Sequence, residues 1–208
     1  MNQPLAIAVA LIAGYLLGSI PTAYLLGRLK EGIDIRTVGS HNMGAMNSFY
    51  RLGFMYGVIV LLVDMGKGAA AVGLARLLGA PNLVEMLAGA MAVVGHNWPV
   101  WLKFRGGKGG ATVIGVIGFL MPWIFLIGFP IFVVMLLITK VPTISYGIGM
   151  LCFPFVAWLI YHRGDYVVFS IIMILIPFIN YIPRLFEMRS KAGNWKGVFA
   201  RRSIKHRI

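Results

Sequence analysis

Between Gly95 and Gly110 the chain reads Gly-His-Asn-Trp-Pro-Val-Trp-Leu-Lys-Phe-Arg-Gly-Gly-Lys-Gly-Gly, placing cations and a histidine in glycine-rich backbone between two apolar segments. Glycine lets such backbone turn tightly and present N–H groups to an anion, with Lys108 supplying charge for a phosphate. The spacing is not that of a nucleoside-triphosphate loop, because no Ser or Thr follows the lysine. A second polar stretch, Asp34 to Asn47, holds Arg36, Gly39, the hydroxyl of Ser40 and the amides of Asn42 and Asn47. These groups can close around an oxyanion or phosphate; on their own they fit equally a polar loop that caps a helix at Asn47 or Ser48. The third is Asp64-Met65-Gly66-Lys67-Gly68 inside an apolar run. Asp64 and Lys67 are three apart and share a helix face, so they can form a structural ion pair, or Lys67 can lean toward a phosphate while Asp64 orients it. His96 has the same two readings, a packed histidine or a base. Trp98, Pro99 and Trp101 fit an interfacial belt.

The elements that position these groups are membrane spans. Hydrophobic residues make up 59% of the 208 and charged ones 12%, with mean hydropathy +0.84, which excludes an ordinary soluble domain. An all-α polytopic fold follows, since open sheet edges cannot face lipid. A span needs about 20 apolar residues, and seven candidates emerge at about 4–26, 52–75, 82–101, 110–121, 123–139, 142–161 and 166–183. The first lacks a basic leader region and is too long for a signal peptide, so it is expected to be a retained span. The lone Cys152 gives neither a disulfide framework nor a zinc site.

Nineteen Lys and Arg against six Asp and Glu give +13, yet this excess sits in short loops and the tail rather than in a nucleic-acid-binding domain. With the N-terminus outside, Arg28, Lys30, Arg36, Arg51, Lys103, Arg105, Lys108, Lys140 and the tail cations fall inside, and only Arg76 and Arg163 fall outside. The positive-inside rule therefore predicts an external N-terminus and a cytoplasmic C-terminus. The chain reads as a single integral membrane domain, 1–208, with a basic tail, 184–208, suited to anchoring on anionic lipid.

Taken together the three stretches resemble the acyl-phosphate-dependent glycerol-3-phosphate acyltransferases, the PlsY family. The resemblance is carried by Gly18-Ser19-Ile20-Pro21, by Asp34-Ile35-Arg36 with Gly39-Ser40-x-Asn42-x-Gly44-Ala45-x-Asn47, by Asp64 with Lys67-Gly68, and by Gly95-His96 through Gly109. It covers nearly the whole chain, including seven helices with an external N-terminus. It implies transfer of an acyl group from acyl phosphate to the 1-hydroxyl of sn-glycerol 3-phosphate, giving lysophosphatidic acid and phosphate, with no acyl-CoA, metal or other cofactor. By the same resemblance Ser40, Asn42 and Asn47 hold phosphate beside the reacting carbonyl. Gly106, Gly107, Lys108 and Gly109 form the loop for glycerol 3-phosphate, and Lys67 completes a positive pocket to which Arg36 and Gly39 belong. The leaving phosphate can take the hydroxyl proton; His96 is the base if a protein base is needed. Partners expected are acyl phosphate, glycerol 3-phosphate and membrane lipid, with no nucleic acid. A monomer is expected, in the inner membrane, beside the enzyme that makes its acyl phosphate.

The chain departs from the family pattern in named places. The arginine after the first motif falls on Tyr50, with Arg51 next to it. Phe178 and Tyr181 stand where the family has histidine and asparagine before Ile-x-Arg-Leu, leaving Asn180 and Arg184 to substitute. His41, Met43 and Met46 replace smaller residues of the serine loop. The alternatives are an acyltransferase with another acceptor, or a small transporter or lipid-binding protein for a phosphorylated anion, to which the glycines and the Asp64–Lys67 pair are also suited.

Overall fold

The structure, a computed structural model, describes residues 2–139 and 142–194, apart from the side chains of Thr143, Arg184, Lys191 and Ala192. Residues 195–208 of the anchor expected at 184–208, Lys140 and the side chain of Arg184 lie outside the described residues. Among those described, every regular element is helical, and they fall into two compact units, one ending at Pro122 and one starting at Trp123.

The first unit begins with α1 (Gln3–Gly18), its first turn capped by Asn2, whose Oδ1 accepts from the Leu5 N–H at 3.1 Å. The sequence suggests one helix through residue 26. The structure instead stops α1 at Gly18 and restarts as α2 (Thr22–Glu31), because Pro21 has no N–H to continue the ladder. A 3-10 turn (Ile35–Thr37) and a short helix, α3 (Ala45–Leu52), precede the long helix α4 (Phe54–Leu77). Gly53, at φ 97°, makes the corner between them. Helices α5 (Asn82–Asn97) and α6 (Gly110–Leu120) complete the unit and bracket the glycine loop.

Small residues bring these helices together. A Cβ on Gly14 would meet the Ala88 carbonyl at 2.5 Å, and one on Gly18 or Gly95 would overlap the carbonyls of Ala92 and Tyr15. The glycines of α1 are four apart, the spacing that lets membrane helix backbones approach closely. Helices α4 and α6 meet the same way, Gly68 against the Thr112 carbonyl and Gly115 against that of Met65. Beneath the loops lies a core of Ala23, Ile35, Met43, Leu52, Val60 and Leu102. Arg76 and Glu85 pair at 2.8 Å at the opposite end of α4 and α5.

The second unit holds α7 (Trp123–Thr139), α8 (Pro142–Met150), α9 (Phe153–Leu159), α10 (Gly164–Ile179) and α11 (Ile182–Ala192). The span expected at 142–161 is interrupted at Leu151 and Cys152, just ahead of Pro154. Among the described residues, two helical stretches are long and apolar enough to cross a membrane, Gln3–Glu31 across its break and Phe54–Leu77. Gly110–Leu120, Trp123–Thr139, Ile144–Leu159 across its interruption, and Gly164–Ile179 are shorter apolar helical stretches.

Candidate active site

The first polar loop is organised by two side chains. Asn47 is buried, and its Nδ2 lies 2.8, 3.1 and 3.0 Å from the carbonyls of Ile35, Val38 and Asn42, while its Oδ1 accepts from the Ser40 N–H at 3.0 Å. That amide is fully engaged, so its role is to fold the loop and hold Ser40 in place. Arg36 grips Asp34 with two prongs, Nε on Oδ1 at 3.0 Å and Nη2 on Oδ2 at 2.7 Å. Hydrogen bonding from the guanidinium holds the Asp34 carboxyl below its ordinary range. Nη1 of Arg36 donates to the carbonyls of Leu102 and Arg105 at 3.3 and 3.0 Å, strapping this loop to the glycine loop. Gly39 (φ 62°) and His41 (φ 56°) supply the left-handed turns around Ser40. Ser40 and Asn42 are half-buried.

Behind both loops sits a buried polar cluster. Oδ1 of Asp64 receives Lys67 Nζ at 2.8 Å, Thr22 Oγ1 at 3.4 Å and faces His96 Nδ1 at 3.6 Å. Lys67 also donates to the Ile20 carbonyl at the break between α1 and α2, at 3.0 Å. Asp64, Lys67 and His96 are 2%, 5% and 3% exposed, so the cluster is an interior one, as the cost of charge inside a membrane requires. Lys67 therefore already has two oxygen partners.

The glycine loop wraps over this cluster. Consecutive left-handed residues, Lys103 (φ 53°) and Phe104 (φ 58°), turn the chain back. Gly106 and Gly107 then donate to the carbonyls of Asn97 and His96, each at 3.0 Å. Their N–H groups point inward, and the reason for glycine is close packing. A Cβ on Gly106 would overlap the His96 carbonyl; one on Gly107 would overlap Nε2 of His96 and come within 2.7 Å of the Met43 carbonyl. Gly109, at φ 85°, caps α6, where helix geometry leaves the first N–H groups without intrahelical partners. Half-buried Lys108 stands beside that helix start. Together they can hold an anion: the positive end of a helix, a lysine and glycine backbone.

The structure thus brings Arg36, Gly39, Ser40, Asn42, Asn47, Asp64, Lys67, His96 and Gly106 to Gly109 into one region of the first unit. Arg51 is exposed on the last turn of α3, and Tyr50 is half-buried. Asn180 follows α10 in the second unit, where Phe178 is exposed. Several participants are absent from the sequence-based set. Thr22 and the Ile20 carbonyl enter through the Pro21 break, whose proline was the available signal. Tyr15 donates to the Trp98 carbonyl at 2.9 Å. Asn97 is buried with neither amide atom hydrogen-bonded, and so is the hydroxyl of Thr112. Next to the break, Ala13, Leu16, Leu17, Ile20 and Leu74 line an open apolar cleft of ≈ 370 Å³.

Comparison with known proteins adds to this geometry. Residues 8–189 match a family model described as glycerol-3-phosphate acyltransferase. The chain is 51% identical to glycerol-3-phosphate acyltransferase 2 of Dehalococcoides mccartyi, across 100% of both chains. It is 38% identical to the glycerol-3-phosphate acyltransferase of Geobacillus kaustophilus, covering 91% of this chain and 98% of that one. Among solved structures it resembles PlsY (YgiH), an integral membrane glycerol 3-phosphate acyltransferase, in its glycerol 3-phosphate form. That match has a TM-score of 0.81 at 28% identity and covers 90% of this chain and 92% of the other. The lysophosphatidic acid form of the same protein matches with a TM-score of 0.79 at 27% identity over the same shares, 90% and 92%.

Proposed function

The chain belongs to the glycerol-3-phosphate acyltransferase family, and from that premise we propose that it acylates the 1-hydroxyl of sn-glycerol 3-phosphate with acyl phosphate as donor. The products are 1-acyl-glycerol 3-phosphate, which is lysophosphatidic acid, and inorganic phosphate, the first acylation of phospholipid synthesis. The observation that carries this reading is the meeting of two anion-suited loops over one buried cluster: Arg36 of the first bonds carbonyls of the second, and Gly107 lies between His96 and the Met43 carbonyl. Two phosphorylated substrates need two such loops side by side.

In this reading Lys108, Gly109 and the first turn of α6 hold the phosphate of glycerol 3-phosphate. Ser40 and Asn42, on the loop that Asn47 folds, hold the acyl phosphate. Arg36, Gly39, Gly106 and Gly107 set the spacing between the loops, and Lys67 lends charge from below. The substrate hydroxyl oxygen attacks the carbonyl carbon, the bond from that carbon to the bridging phosphate oxygen breaks, and the departing phosphate takes the hydroxyl proton. Because the donor is already activated, catalysis consists of orientation and stabilisation of charge on the carbonyl oxygen and the phosphate. His96 serves as base only if the phosphate does not. The acyl tail lies along the apolar cleft beside Ile20.

The protein is a membrane protein, like the solved relative it resembles. The fuller arrangement proposed is one inner-membrane domain of seven spans, N-terminus outside and basic tail inside. It acts as a monomer that collects acyl phosphate from the enzyme producing it. Arg51 is the residue proposed to stand in for the family's arginine, whose place Tyr50 takes. The test is phosphate release and lysophosphatidic acid formation by purified protein in lipid, given palmitoyl phosphate and glycerol 3-phosphate. Product from wild type and none from folded Lys108→Ala is expected. No product from wild type, with glycerol 3-phosphate still raising the melting temperature, would overturn the transfer reaction and favour a binding or transport role.

A further inference from the structure

One carboxylate oxygen joins the elements that hold the site. Oδ1 of Asp64 on α4 is approached by Thr22 Oγ1 at the start of α2, by Lys67 Nζ one turn along α4, and by His96 Nδ1 near the end of α5. Each partner leads onward. Lys67 binds the Ile20 carbonyl at the α1–α2 break, at 3.0 Å, beside the Thr22 N–H on the same oxygen. The far nitrogen of His96, Nε2, lies against Gly107, where even a Cβ could not fit. His96 further accepts the Gly107 N–H on its own carbonyl at 3.0 Å. A simple ion pair would need none of these extra partners, and a buried pair is seldom more stabilising than apolar residues of the same size.

We propose that Asp64 is a positioning residue for the glycerol 3-phosphate side of the reaction, fixing the His96 ring beneath Gly107 and through it the glycine loop. This rests on the reading of that loop as the glycerol 3-phosphate site. The carboxylate faces Nδ1 at 3.6 Å, longer than a hydrogen bond; its charge favours the tautomer with the proton on Nδ1 and turns an unprotonated Nε2 toward the loop. Contacts of this kind shorten when a substrate closes the site. Asp64 touches no substrate in this scheme; it acts through His96.

The experiment is steady-state kinetics of the purified full chain in lipid, varying each substrate in turn. Asp64→Asn is expected to raise KM for glycerol 3-phosphate about tenfold, the size of one lost ordering contact, with KM for palmitoyl phosphate unchanged. His96→Gln should give the same selective rise, and the combined variant no more than the larger single one, because both act along one path. Asp64→Leu/Lys67→Met removes both buried charges together, keeps the fold and still shows the raised KM. Wild-type KM in that folded double variant, equal rises for both substrates, or multiplying losses in the Asp64–His96 cycle would each overturn the proposal. If wild type makes no product, the reaction itself fails, and binding decides the proposal instead. The glycerol 3-phosphate concentration for half-maximal thermal stabilisation should then be about tenfold higher in Asp64→Asn, and equal concentrations would overturn it.

Discussion

Replacing Gly107 with alanine adds one methyl group at the point where the two loops meet. The new Cβ would stand 2.7 Å from the Met43 carbonyl and 2.9 Å from Cδ2 of His96, and overlap Nε2 of the same ring. Ordinary contact begins at 3.4 Å, so the Met43 side alone needs 0.7 Å of relief, 3.4 less 2.7. None of these neighbours is the free end of a flexible side chain. Met43 is backbone and 2% exposed, and His96 is 3% exposed. Relief must therefore come from the glycine loop moving outward, or from His96 turning away from Asp64. Overpacking of this sort costs about 1–3 kcal/mol, which the fold tolerates. Function should suffer more, since displacement of a reacting group by about 1 Å lowers rate about a hundredfold. The expected result is folded Gly107→Ala protein, extracted in normal yield with a modestly lower melting temperature, whose kcat/KM for glycerol 3-phosphate falls about a hundredfold. The assay is lysophosphatidic acid formation at varied glycerol 3-phosphate, beside a melting curve of the same sample. Wild-type kcat/KM in folded protein would refute the claim that the close approach of Gly107 to His96 and Met43 sets the site.

Further outcomes are expected elsewhere in the first unit. Asn47→Ala removes the amide that serves Ile35, Val38, Asn42 and Ser40; denaturation should show a loss of about 2–4 kcal/mol, and a loss under about 0.5 kcal/mol would mean the loop holds itself. Thr112→Val keeps the shape of a side chain whose buried hydroxyl lacks a partner, so stability should rise by about 1 kcal/mol; a lower melting temperature would show that the hydroxyl is bonded after all. Asp34 is lowered below its ordinary value of 3.8 by Arg36. A depressed carboxyl stabilises the fold fully above its unfolded value and loses that contribution as pH falls through the folded one. The stability gap between wild type and Asp34→Asn should thus stay constant from about pH 7 to pH 5 and close below about pH 4. A gap unchanged at the acid end would show that the Asp34–Arg36 pair within the first loop adds nothing to stability.

The solvent and the chemical theme are both legible in residue order alone. Long apolar runs cannot be folded economically except as helices in lipid, and glycine, lysine, serine and asparagine clustered between them mark anion handling whatever the tertiary arrangement. The Asp64–Lys67 pair was equally legible, since residues three apart on a helix must share a face. Which of these groups stay available depends on packing. Local spacing does not reveal that Lys67 reaches the Ile20 carbonyl, 47 residues away in the chain. Nor does it reveal that Arg36 bonds Leu102 and Arg105, or that the N–H groups of Gly106 and Gly107 turn inward to the carbonyls of Asn97 and His96, respectively. Hydrogen bonds of this kind depend on how the helices pack, α1 against α5 through close approaches at Gly14, Gly18 and Gly95, and α4 against α6 through Gly68 and Gly115. A residue's type fixes what it can bond, while the fold fixes what lies within 3 Å of it.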